Sequence, residues 1–124
     1  MKGYQCKQYG QPTKRYIQYL ELEDNSDLIA KYKYLHGKEG HWEEIRNGIR
    51  EVGILEMEIY ILGNQLVMII DAPLDLDLDK AMSKLATMPR QQEWEETVAE
   101  FQKCRKDATS ADKWCEMERI FYLY

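Results

Sequence analysis

Only two histidines occur in the 124 residues, His36 and His41, five apart in Tyr32-Lys33-Tyr34-Leu35-His36-Gly37-Lys38-Glu39-Gly40-His41-Trp42. Histidine is the side chain whose proton affinity sits nearest neutral pH, so this segment is the natural seat of general acid–base chemistry. Tyr32 and His36 are spaced i, i+4 and share one helix face. Leu28, Ile29 and Leu35 fall on the same face, which should turn His36 inward rather than into bulk water. Gly37 and Gly40 would let a ligand approach closely. The competing reading is structural, a buried and hydrogen-bonded histidine at a helix end. A metal site of the form His-x-x-Glu-x-His is disfavoured. Histidines at i, i+5 do not share a helix face, and no cysteine lies nearby.

Other patterns carry less. Asp75, Asp77 and Asp79 alternate like the start of a calcium loop, but the sixth position is Lys80 rather than glycine and the twelfth is Ala86 rather than glutamate. A solvated helix start fits them better. Trp94 sits on an apolar helix stripe, as core or as a ligand platform. Nine tyrosines suit sugars, whose C–H faces stack on rings while their hydroxyls need polar partners. Strand propensity explains the same tyrosines. There is no Gly-rich phosphate loop and no Gly-x-Ser-x-Gly elbow.

The elements that must position these residues follow from periodicity and punctuation. Residues 14–22 read as a strand. Asp24, Asn25, Ser26 and Asp27 mark a helix start, and a second helical stretch carries Trp42, Ile45, Ile49 and Val52 to Gly53. Residues 54–62 and 65–71 form a hairpin about Gly63-Asn64; Leu66 to Ile70 is a continuous apolar run, as in a central covered strand. Pro73 and the aspartates open a helix bearing Met82, Leu85 and Met88. Pro89 starts the next, with Trp94, Val98, Phe101 and Cys104 in a stripe. Residues 105–113 read as loop and 115–124 as a terminal strand. Residues 1–13 are a polar extension, leaving 14–124 as one domain.

The order βα(α)ββα(α)β is the split βαβ, ferredoxin-like α+β pattern. Its helices lie on one face of the sheet, and a second copy is the simplest cover for the other, so a homodimer is expected. A formal charge of −5 without a basic run argues against nucleic acid and anionic membranes. No apolar stretch approaches the ~20 residues of a membrane helix. The polar start lacks a signal-peptide centre, and Cys6, Cys104 and Cys115 form no CxxC pair, so reduced thiols in the cytoplasm are expected.

From about Arg15 to Tyr124 the chain resembles the L-rhamnose mutarotase family. The resemblance rests on Tyr32-x-x-x-His36, Trp42-Glu43-Glu44-Ile45, Glu58-Ile59-Tyr60-Ile61, Trp94 and the ending Phe121-Tyr122-Leu123, in that order and spacing. It implies a dimeric α+β barrel, no cofactor, and anomer exchange of L-rhamnose or a related 6-deoxyhexose; the spacing of His36 and His41 likewise leaves no metal expected. Position by position, His36 matches the family's proton donor and Tyr32 a substrate-contacting tyrosine. Trp94 matches the second of an adjacent tryptophan pair in the sugar site. The first of that pair is Glu93 here, a sugar-contacting strand tyrosine is Met57, and the loop after His36 is about two residues longer than the family pattern. Tyr60, in the matched strand, joins the expected sugar contacts.

Mutarotation opens the pyranose by protonating the ring oxygen and deprotonating the anomeric hydroxyl, then reverses both on the other face. A group titrating near pH 7, such as His36, serves each direction. Glu39, Glu93 or a water stand as candidates for the group on the anomeric side. Two rivals remain: another enzyme of the same barrel, such as a monooxygenase or lactone isomerase, and a non-catalytic sugar-binding module.

Overall fold

The structure is a computed structural model that describes residues 1–103 and 110–124, with only the backbone for Ser110 and Ala111. Among the described residues nine elements follow one another: β1 (Thr13–Glu21), α1 (Ser26–His36), α2 (Glu43–Glu51), β2 (Glu56–Leu62), β3 (Gln65–Pro73), α3 (Leu78–Leu85), α4 (Gln91–Ala99), α5 (Ser110–Lys113) and β4 (Cys115–Glu116). The strands form one antiparallel sheet in the order β2-β3-β1-β4. The split βαβ arrangement expected from the sequence is therefore the one found: β1 and β2 run parallel with β3 between them.

Local chemistry fixes the helix starts. The Asn25 side chain accepts from the backbone N–H groups of Asp27 and Leu28 at 3.0 and 3.1 Å and caps α1. Asp77 accepts from the Lys80 N–H at 3.2 Å, so the aspartate run is a helix start. Pro89 does not begin α4; Arg90 intervenes with φ of 62°, outside the usual range for a side-chain-bearing residue. At the hairpin tip Gly63 takes φ of 61°, the left-handed region glycine enters freely.

Strand alternation sorts side chains between two faces. Tyr16, Leu20, Met57, Ile59, Leu66, Met68 and Ile70 face the helices and join Tyr32, Met82, Leu85, Val98, Phe101 and Trp114 in the core. Arg15, Ile17, Tyr19, Tyr60, Val67, Ile69 and Asp71 lie on the other face. The continuous apolar run of β3 thus divides, with Leu66, Met68 and Ile70 buried and Val67 and Ile69 partly open.

Four expectations need adjustment. The terminal strand is short: Cys115 and Glu116 pair with β1, the Met117 N–H donates to the Ile17 carbonyl at 2.8 Å, and the residues beyond are exposed without regular structure. Among the described residues no strand pairs with Phe121-Tyr122-Leu123. The loop expected over 105–113 ends in α5 at its described part; residues 105–109, and Cys104 of the α4 stripe, lie outside the described residues. Residues 1–12 have no regular structure but are not loose: the Tyr9 hydroxyl donates to Asp71 Oδ2 at 2.8 Å. Finally, Gly40 has a structural requirement of its own, since a Cβ there would strike the carbonyl and ring of Tyr34.

Candidate active site

Between the helix-covered face of the sheet and helices α1, α2 and α4 lies a cavity of about 470 Å³. Its floor is apolar, with Met57, Ile59 and Met68 from β2 and β3. Tyr32 and His36 reach it from one face of α1, as their i, i+4 spacing requires. Trp42, from the turn before α2, and Trp94, from α4, complete an aromatic wall. Trp114 also lines the cavity, so all three tryptophans of the chain share it.

The rings form a continuous series. Tyr32 and His36 lie 4.2 Å apart between centroids, tilted by 38°. His36 meets Trp94 edge-on at 5.2 Å, and Trp94 meets Trp42 edge-on at 5.2 Å. The Arg90 guanidinium stacks over Trp42 at 4.2 Å and reaches Glu44 and Glu93. The left-handed backbone of Arg90 thus sits at a residue that braces the wall, where local strain is commonly tolerated.

His36 Nδ1 lies 2.8 Å from the Tyr32 carbonyl oxygen. A carbonyl only accepts, so Nδ1 carries the hydrogen, and in the neutral ring Nε2 holds the lone pair. Burial pushes the His36 pKa below its usual value; the bond to Tyr32 opposes this and the Arg46 charge adds to it. The ring is therefore predominantly neutral at pH 7, with a defined basic nitrogen. His41 also touches the cavity, but both its nitrogens are engaged: Nδ1 with the Gly37 and Lys38 carbonyls, Nε2 with Glu43 at 3.0 Å. Neither is placed to abstract a proton.

A polar corner completes the site. The Lys113 ammonium, fully buried, contacts Glu95 Oε2 at 2.6 Å, and Gln91 Nε2 donates to Glu95 Oε1 at 2.8 Å. Gln102 approaches the Tyr32 hydroxyl at 3.5 Å. Among the described residues no three His, Cys, Asp or Glu side chains converge as a metal site.

Of the residues singled out in the sequence, the structure brings together His36, Tyr32, Trp94 and Met57. Tyr60 is not among them: three residues along β2 from Met57, it projects from the opposite face, against Tyr4 and Glu58. Glu93 is likewise outside, exposed and paired with Arg90. Glu39 is exposed and does not line the cavity. Trp42 and Gln91 were not singled out as ligand contacts. Gln91 was detectable, since Gln91, Trp94, Glu95 and Val98 at i, i+3, i+4 and i+7 put polar groups on an apolar helix face.

Fold and site together define a split βαβ α+β protein with a largely aromatic cavity and one oriented histidine. Residues 15–123 match the L-rhamnose mutarotase family. The chain is 36% identical over 104 residues to an L-fucose mutarotase of Xanthomonas campestris pv. campestris, covering 84% of this chain and 83% of that protein. It is 29% identical over 114 residues to a UPF0734 protein of Dictyostelium discoideum, covering 89% and 90%. A crystal structure of an L-rhamnose mutarotase from Formosa agariphila superposes with a TM-score of 0.65 at 18% identity, over 90% of this chain and 99% of that one, and shares the fold. The chain belongs to the L-rhamnose mutarotase family, whose members are sugar anomer-interconverting isomerases.

Proposed function

We propose that residues 14–124 interconvert the α and β anomers of an L-6-deoxyhexose, L-rhamnose or L-fucose, with His36 as the proton-transfer group. The observation that carries this reading is the His36–Tyr32 hydrogen bond, which leaves Nε2 as the basic nitrogen of a ring that lines an aromatic cavity. Trp94 and Trp42 line the cavity with aromatic surface suited to the sugar's C–H groups, and Met57, Ile59 and Met68 offer an apolar floor to its C6 methyl.

The chemistry balances with one shuttling proton. Nε2 removes the anomeric hydroxyl proton as the bond from C1 to the ring oxygen breaks, and the imidazolium delivers that proton to the released ring oxygen. These two oxygens share one carbon, so a single nitrogen can serve both with a small shift. Rotation about C1–C2 turns the aldehyde, and the reverse steps close the ring on its other face. Saturation-transfer NMR between the anomeric protons tests the reading. Enhanced exchange of L-rhamnose or L-fucose supports it; unaltered exchange of both, with D-glucose for comparison, refutes it.

The protein acts as a homodimer in this proposal. Ile17, Val67 and Ile69 are partly open on the sheet face away from the helices, and Ile120, Phe121, Leu123 and Tyr124 are exposed. Light scattering at micromolar concentration should give twice the chain mass; a monomer contradicts it. No helix among the described residues is long and apolar enough to cross a membrane. Exposed free thiols at Cys6 and Cys115 suit the reducing cytoplasm we assign.

A further inference from the structure

Residues 1–14 precede the stretch that matches the family, yet residues 4–9 are held against the sheet at three points. The Tyr9 hydroxyl donates to Asp71 Oδ2 at 2.8 Å. The Tyr4 ring packs edge-on against Tyr60 at 5.8 Å. Lys7 Nζ donates to the Leu55 carbonyl, just before β2, at 3.0 Å. Asp71 is itself fixed from the neighbouring strand, with Arg15 Nε at 2.7 Å and its terminal nitrogen at 3.1 Å. Together these contacts run an extended segment over the open face and round the β2 edge.

That path has a consequence for the site. Among the described residues of the segment, Lys7 alone lines the cavity that holds His36. It also lines a second cavity, of about 440 Å³, between the segment and the open face, and Glu56 is the other residue common to both. Lys7 and Glu56 therefore stand at the partition between the two sides of the sheet. An ammonium has three donors, and the Leu55 carbonyl takes one. The floor of Met57, Ile59 and Met68 is apolar, so a sugar's hydroxyls depend on the polar residues around it, and Lys7 joins Arg46, Arg50 and Glu56 in supplying them.

We infer that residues 4–9 form a strap that places the Lys7 ammonium at the mouth of the cavity, where it donates to a hydroxyl of the bound monosaccharide and sets affinity. Lys7 is a binding residue in this scheme and Tyr9 a positioning residue that acts through the strap. The inference rests on the cavity being the sugar site of the proposed mutarotase.

The experiment compares the full chain with Lys7→Met, Lys7→Arg and Tyr9→Phe. Exchange of L-rhamnose and L-fucose is followed by saturation-transfer NMR, and binding of the same sugars by tryptophan fluorescence, since all three indoles line the cavity. Lys7→Met should raise KM and Kd about 3- to 10-fold, the loss expected for one charge-assisted hydrogen bond near solvent, while kcat falls less than about twofold. Lys7→Arg should restore most of the affinity. Tyr9→Phe should raise KM in the same direction by a smaller factor. An active full chain whose KM and Kd are unchanged by Lys7→Met overturns the strap and leaves the mutarotase reading standing. A full chain that binds sugar without exchanging its anomers overturns the mutarotase reading, and the Kd values of the variants still decide the strap. A full chain that neither binds nor exchanges either sugar overturns both.

Discussion

The imidazole of His36 is hydrogen-bonded through Nδ1 to the carbonyl of Tyr32, one helical turn earlier, at 2.8 Å. Helix geometry brings the two together, and the bond selects the tautomer whose Nε2 is basic. One backbone contact thus links the i, i+4 spacing in the sequence to the direction in which a proton would move.

The pH dependence of activity follows. Burial lowers the His36 pKa below 6.5, its ordinary value. The acid limb of kcat/KM for anomer exchange should therefore have its midpoint below 6.5, with full activity at neutral pH. The same shift bears on stability. In the unfolded chain the group takes up its proton near 6.5, in the folded chain only at lower pH, so its contribution is present above 6.5 and is lost as pH falls through the folded value. A pH–rate profile with a midpoint above 6.5 contradicts the assignment.

The buried Asp71 predicts a second, separate acid sensitivity. Its bond from Arg15 holds the carboxyl below the usual range; burial opposes this and the Tyr9 hydroxyl supports it. The tyrosine hydroxyl in turn is pushed up to about 12, chiefly by burial and then by the same bond, and remains a donor at any ordinary pH. Stability from this clasp is present above the unfolded carboxyl's pKa of about 3.9 and is lost as pH falls through the lower folded value. Asp71→Asn should cost about 1–3 kcal/mol at pH 7, nearer the low end because Arg15 is half exposed. Urea unfolding at pH 7 and pH 3 checks this. The gap between variant and parent should narrow at the lower pH.

Met57 and Glu93 separate a residue inside the cavity from one outside it. Met57 faces the floor, so Met57→Tyr should add a hydroxyl to the sugar site and change the ratio of kcat/KM for L-rhamnose and L-fucose by several-fold, the scale of about 1 kcal/mol. Glu93 points to solvent, and Glu93→Ala should leave KM within about twofold. Steady-state exchange kinetics on both sugars decide. A large KM effect at Glu93 would move the sugar outward along α4.

Much of this arrangement was legible in the chain. The stripe of Leu28, Ile29, Tyr32, Leu35 and His36 is the face of α1 that turns inward, and the β2–β3 hairpin closes at Gly63-Asn64 as its residues require. Strand parity was legible too: Met57 and Tyr60 are an odd number of positions apart and must leave opposite faces. Likewise Glu93 and Trp94 are adjacent on a helix and diverge by about 100°. The contribution of Lys7 was not legible, because residues 1–12 have no periodicity and only tertiary contacts direct them. Nor was that of Trp114 or Lys113, which reach the core and the polar corner from α5 and its end, a stretch whose polar composition resembles a loop.

In the proposed reaction His36 moves the proton in anomer exchange. The most direct test of this role is saturation-transfer NMR on L-rhamnose and L-fucose with the parent chain, His36→Ala and His41→Ala, each checked for folding by circular dichroism. General acid–base groups contribute about 10²–10⁴-fold, so His36→Ala should slow exchange by that factor while remaining folded, and His41→Ala should cost little. Near-parental exchange by a folded His36→Ala protein would show that another group moves the proton.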